Sequence, residues 1–134
     1  MQDGCVFCKF IAGQFGCHKI FEDNYTLAFL DINPDCEGHT LVIPKEHYCN
    51  LLECPSEIVL RVLNTVQKVA AHYMNLGYKG FNVVQNNGQE AGQVVNHLHF
   101  HILPRKNKED YKKAYSKPTD DEIKDICKKL KVNK

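Results

Sequence analysis

Short apolar runs bounded by turn formers dominate the first fifty residues. "CVFCKFIAGQ" predicts one short helix that Gly13 ends. "KIFED" and "TLAFLDI" predict two strands parted by the polar Asp23–Asn24 turn. "DINPDCEG" is rich in turn formers and reads as a loop, and "HTLVIPKEH" predicts a third strand that Pro44 helps to stop. The spacing then changes. In "PSEIVLRVLNTVQKVAAHYMNLG" the apolar positions Val59, Val62, Leu63, Val66, Val69, Ala70 and Tyr73 recur every three or four residues. That is the period of a helix, with Pro55 near its start and Gly77 past its end. "FNVVQN" predicts a fourth strand, "NGQEAG" a glycine-bearing loop and "HLHFHIL" a fifth strand. Lysines and acids fill Lys106 to Lys117. Thr119 and Glu122 then stand at capping-box spacing before a closing helix with the stripe Ile123, Ile126, Cys127 and Leu130. Strands joined by short turns, with one long helix inserted, predict an α+β domain on an antiparallel sheet.

Composition narrows the class. A chain of 134 residues, 43% hydrophobic and 25% charged, fits a single domain over 1–134. A net charge of +1 gives no electrostatic reason to expect nucleic acid or a membrane surface as a partner. The apolar runs are too short to cross a bilayer, and "MQDGCVFCKF" lacks the pattern of a secretory signal. The seven cysteines cannot all pair within the chain, so they read as reduced thiols of a cytoplasmic protein.

The candidate chemistry lies in "NHLHFHILPR". His97, His99 and His101 alternate, so in a strand they share one face while Leu98, Phe100 and Ile102 line the other. Three partly charged rings side by side are costly unless paired, neutral or functional. Metal binding, phosphoryl chemistry or a division of the two are all compatible with the spacing. Just upstream, "NNGQEAGQ" carries two glycines whose backbone N–H groups can approach an anion. Asp31 suits sugar hydroxyls or equally a turn, and His39 follows it.

"HLHFHIL" resembles the His-φ-His-φ-His-φ-φ pattern (φ apolar) of the histidine triad, or HIT, superfamily of nucleotide hydrolases and transferases. "CVFCKFIAGQ", "LAFLDINPDCEGHTLVIPKEH" and "NNGQEAGQVVNHLHFHILPR" are similar to that family's blocks in order, covering about residues 5–105 and leaving 106–134 as a variable tail. The resemblance implies a five-stranded, mainly antiparallel sheet with two main helices, and a homodimer whose sheets join across the two-fold axis. It also implies cleavage of AMP-type conjugates at the α-phosphate, with purine nucleotides of the AMP or GMP type as ligands and no metal in the chemistry. By position in the motif His99 is the nucleophile that forms a nucleotidyl-histidine, His101 contacts the phosphate, and His39 supports the array. Asn86 sits near phosphate and nucleophile. Gly92, Gln93 and Val94 match the phosphate-facing turn, Asp31 the ribose-holding acid, and Val6, Phe7, Phe29 and Ile32 the apolar positions around the base. A cationic His101 would offset phosphate charge during attack.

Cys5-x-x-Cys8 has the spacing of half a zinc site. Some members of the superfamily complete such a site with a histidine after the "VIPK" strand and the first histidine of the triad. Here that set is Cys5, Cys8, His47 and His97, a structural zinc site that leaves His99 and His101 for catalysis. The tail can reach the partner's active site in the family, which makes Tyr111 and Tyr115 candidates. The simplest activity is a nucleoside phosphoramidase. Val94 stands where that branch carries a hydroxyl residue, while "GQEAGQ" and "HILPR" are similar to the dinucleoside polyphosphate hydrolase branch. A nucleotide-sensing or zinc-stabilised interaction protein is the reading of another class.

Overall fold

The computed structural model describes residues 4–112 and 114–132. Strands β1 (Lys19–Glu22), β2 (Thr26–Leu30), β3 (Thr40–Pro44), β4 (Gly80–Val84) and β5 (Phe100–Arg105) form one sheet in the order β1-β2-β3-β5-β4. Every neighbouring pair is antiparallel. The Asp23 carboxylate closes the first hairpin by accepting from the backbone N–H groups of Tyr25 and Thr26. The helices are α1 (Val6–Ile11), α2 (Ser56–Asn75) and α3 (Asp120–Leu130). This is the expected α+β sheet with two longer helices.

Alternation along the central strands sends side chains to two layers. On one face Ala28, Leu30, Val42, Phe100 and Ile102 pack with Val62, Val66, Val69 and Tyr73 of α2. On the other, Leu27, Phe29, Leu41 and Ile43 meet Cys5, Phe7 and Cys8 around α1. β2 and β3 are buried on both faces, which is why they read as continuous apolar runs.

The closing helix forms with its capping box intact. Thr119 accepts from the Glu122 N–H, and the Glu122 carboxylate accepts from the Thr119 N–H. It adds Ile123 and Leu130 to the α2-side core, and the N–H of Val132 donates to the Ile20 carbonyl beside β1. Gly38 (φ +83°) lets this packing close, because a Cβ there would stand 3.0 Å from Pro104 Cγ and 3.1 Å from Leu130 Cδ1.

The fifth strand departs from expectation. Its ladder begins only at Phe100, so His97 and His99 precede it and His101 alone of the three lies within it. The facing still alternates. Leu98, Phe100 and Ile102 point toward α2, and the histidines lie on the α1 side, where Phe7 meets His97 and His99 edge to face.

Candidate functional site

Two groups of side chains meet on the α1 side of the sheet. One consists of Cys5, Cys8, His47 and His97, whose ligating atoms all lie within 4.8 Å of one another. Cys5 Sγ is 3.3 Å and Cys8 Sγ 3.6 Å from His97 Nδ1, and Cys8 Sγ is 3.4 Å from His47 Nδ1. Tetrahedral zinc, with Zn–S about 2.3 Å and Zn–N about 2.0 Å, places neighbouring S and N ligands about 3.5 Å apart. The ring chemistry fits as well. His97 Nε2 lies 2.9 Å from the Pro44 carbonyl, which can only accept, so the proton sits on Nε2 and Nδ1 turns a lone pair to the sulfurs. His97 is fully buried, and burial pushes its pKa down to about 4, so it is the neutral ring that a metal needs. Burial pushes the Cys5 thiol up, and the Cys8 backbone N–H, which donates to Cys5 Sγ at 3.3 Å, offsets part of that rise.

The second group is a chain of rings. His99 Nδ1 lies 2.7 Å from the His97 carbonyl, so Nδ1 carries the proton and Nε2 keeps its lone pair. His39 Nδ1 accepts from the Asp35 N–H at 3.0 Å, which leaves the ring's proton on Nε2. That Nε2–H donates to His101 Nδ1 at 2.9 Å and so places the His101 proton on its own Nε2. Three backbone or ring contacts therefore order three tautomers: one exposes a nucleophilic nitrogen, and another ends in an N–H donor. His99 and His101 have ring centroids 5.0 Å apart.

Burial keeps these rings neutral. It lowers His99 against the Asp31 carboxylate, and it lowers His39 against Asp31 and Asp35. His101 is pushed down to about 4 by burial first and then by His99 and His39. In the free protein the His101 ring is therefore a neutral donor, because desolvation outweighs Asp35.

Asp31, His39 and His101 also cluster closely enough to suggest a metal. Their hydrogen bonds argue against it. The His39 nitrogen that a metal would need already carries the proton, since the Asp35 N–H occupies the other nitrogen.

The remaining predicted residues surround this array unevenly. Phe7 and Phe29 are buried edge to face at 5.3 Å, Val6 is half-buried on α1, and Ile32 is exposed. Asp31 follows β2. Its Oδ1 accepts from the Asn33 N–H, and its Oδ2 lies 3.7 Å from His39 Nε2. Asn86 is half-buried, with its amide nitrogen 4.0 Å from where a Gly92 Cβ would be.

The turn differs from expectation in detail. The N–H groups of Gly92 and Gln93 donate to Gln89 and Gly88 carbonyls around a 3₁₀ turn, Gln89–Ala91. The buried Gln93 amide braces the loop, accepting from the Gly88 N–H and donating to the Cys49 and Val95 carbonyls. Among the described residues the N–H groups of Val94 and Val95 have no partner, so they are among the donors left for an anion. Sequence reading missed Val95, Asp35, Cys49 and Pro44. All four act through backbone atoms, which leave no mark on residue identity. Tyr115 lines a crevice with Asp31 and His39, and Tyr111 is exposed beside β4.

The HIT domain matches residues 12–108. The chain is 48% identical over 101 residues to an uncharacterized HIT-like protein of Methanocaldococcus jannaschii, across 75% of this chain and 78% of that one. It is 46% identical over 105 residues to an adenosine 5′-monophosphoramidase of Schizosaccharomyces pombe, across 78% and 77% of the two chains. A Zn-bound histidine triad family protein from Mycobacterium smegmatis superposes with a TM-score of 0.85 at 35% identity, covering 95% of this chain and 90% of that one.

Proposed function

Because the chain belongs to the HIT domain family, we propose that it is a hydrolase of AMP-type conjugates, most simply of nucleoside phosphoramidates. The observation that carries this reading is the bond from His99 Nδ1–H to the His97 carbonyl, which leaves a neutral imidazole with its Nε2 lone pair free. In the proposed reaction that lone pair attacks the α-phosphorus and an N–P bond forms. The bond to the leaving group breaks, and the leaving group keeps the electron pair and takes up a proton. Water then attacks the nucleotidyl-histidine, releases the nucleotide and returns a proton to solvent. In this reading His101 Nε2–H and the N–H groups of Val94 and Val95 would bond phosphoryl oxygens, and Asn86 would assist them. Phe7, Phe29, Val6 and Ile32 would flank the base, and Asp31 would hold the ribose.

The same reading gives Cys5, Cys8, His47 and His97 a structural zinc, whose chemistry when bound is to cross-link α1 to the segment before β5. It also pairs two copies along β4, an edge strand that leaves Phe81, Val83 and Val84 exposed. Among the described residues no helix is long and apolar enough to cross a membrane, and every cysteine stands free, which suits a reducing, cytoplasmic setting.

Turnover of an adenosine phosphoramidate, with mass measurement of an acid-quenched AMP adduct, tests the proposal. Wild-type protein should turn over and carry the adduct. His99→Asn should do neither while still binding AMP, and wild-type turnover by that variant would end the assignment. Val94 favours the second reading, since its exposed side chain has no hydroxyl to assist a leaving amine. A higher kcat/KM on diadenosine polyphosphates than on phosphoramidates would select that reading, and negligible turnover of both would select a nucleotide sensor.

A further inference from the structure

We propose that Arg105 is a specificity-determining residue that reads the leaving group, favouring one that carries phosphate over a neutral amine. The inference rests on the reading of His99 as nucleophile and of His101 as the ring beside the α-phosphate.

Alternation along β5 sets His101, Leu103 and Arg105 on one face, in a row that His99 begins. Across the ladder, Val84, Asn82 and Gly80 stand opposite those three strand residues. Leu103 is buried and floors the row between ring and guanidinium. An in-line displacement sends the leaving group away from the attacking nitrogen. With His99 attacking and His101 on the phosphate, that direction runs along β5, over Leu103, toward Arg105. The guanidinium is held in advance. Its Nε donates to Asn82 Oδ1 at 3.0 Å, and its Nη1 donates to the Asp110 carbonyl at 3.2 Å. Both acceptors are neutral, and among the described residues Arg105 has no ion pair, whereas Lys106 is spent on Glu37 at 2.9 Å. The Arg105 charge reaches the site, since it is one of the groups that push His39 down.

Beyond Arg105 the chain folds back through Asp110 over the end of the row. Lys108, Tyr111 and Lys112 then line a groove of about 930 Å³ with Arg105, in which Glu109 is the only acid among the described residues. Neither lysine has an ion pair among the described residues. The far end of the row is therefore a positive wall. Guanidinium-to-phosphate bonds are charge-assisted and directional, so a phosphate-bearing leaving group is held there. A neutral amine gains nothing from it.

The test compares kcat/KM on a diadenosine polyphosphate with kcat/KM on an adenosine phosphoramidate whose leaving group is a neutral amine. Arg105→Gln should lower the polyphosphate-to-phosphoramidate ratio by about tenfold or more relative to wild type. An unchanged ratio, whether both activities fall together or neither does, would overturn the proposal and leave Arg105 a structural tie. The affinities of AMP and ADP, which differ by a single phosphate, give a second readout that needs neither turnover nor a variant. Wild type should bind ADP about tenfold more tightly than AMP, by a margin that narrows as salt rises. Equal affinities would overturn the proposal even if Arg105→Gln does not fold. If no conjugate is turned over, the hydrolytic reading fails, and the AMP–ADP margin still decides: its loss in Arg105→Gln supports the assignment, and its persistence ends it.

Discussion

Replacing His39 by leucine removes the link that orders His101 while leaving a side chain of similar bulk. His39 is 3% exposed, and it satisfies the Asp35 N–H at 3.0 Å and His101 Nδ1 at 2.9 Å. The variant orphans both groups, each at about 1–3 kcal/mol, so a stability loss of about 2–6 kcal/mol follows. Catalysis should suffer separately. The lost bond is worth about 1 kcal/mol in favour of one His101 tautomer, a factor of about five in the tautomer ratio, so kcat should fall by up to about fivefold. His39 is also one of the groups that pushes His101 down, so the acid limb of kcat should move to higher pH. The assays are urea denaturation and a kcat–pH profile on an adenosine phosphoramidate. Loss of stability at the expected size with wild-type kcat and an unmoved acid limb would refute the view that His39 orders His101.

Gln93→Ala deletes two hydrogen bonds inside the 88–95 loop and one to the Cys49 carbonyl and should cost about 2–3 kcal/mol in denaturation, with kcat falling too because Val94 and Val95 lose their support; unchanged kcat would show that the loop needs no brace. Gly38→Ala places a methyl against Pro104 and Leu130 at positive φ, so a loss of about 1–3 kcal/mol is expected, and one below about 0.5 kcal/mol would contradict the packing at that contact. Stability should fall on acidification. The unfolded chain protonates each histidine near pH 6.5, whereas the fold holds His101 neutral to about 4, so this contribution is complete above 6.5 and lost as pH drops toward 4. For this ring alone it amounts to at most about 3 kcal/mol, and a denaturation midpoint flat from pH 7 to 4 would refute it.

Periodicity made most of the fold readable. The α2 stripe, the β2–β3 runs and the Thr119–Glu122 box each appear where local pattern and tertiary packing agree. The triad was readable as a face but not as a strand, because the ladder of β5 depends on where β3 and β4 supply partners, and those begin at Phe100 and His101. The two sites share alternating histidines, and the pattern alone left metal and chemistry equally open. What separates them is which carbonyl or N–H holds each ring: Pro44 for His97, His97 itself for His99, and Asp35 for His39. Backbone partners carry no residue signature. The neutral state of His101 was also hidden, since it follows from burial that only the packed sheet creates.

The closing helix has a consequence for the order in which the molecule is made. Leu130 is fully buried against a core assembled mostly from residues 20–102, and Val132 bonds the backbone beside β1. A chain emerging from the ribosome N-terminus first can thus lay down α1 and the first hairpin early, yet must wait for residues 123–132 before that layer is sealed. Until then the floor of the domain beneath Gly38 stands open to water. Nascent chains halted shortly before Leu130 would expose this unfinished layer to chaperones, although they already carry every histidine of the site.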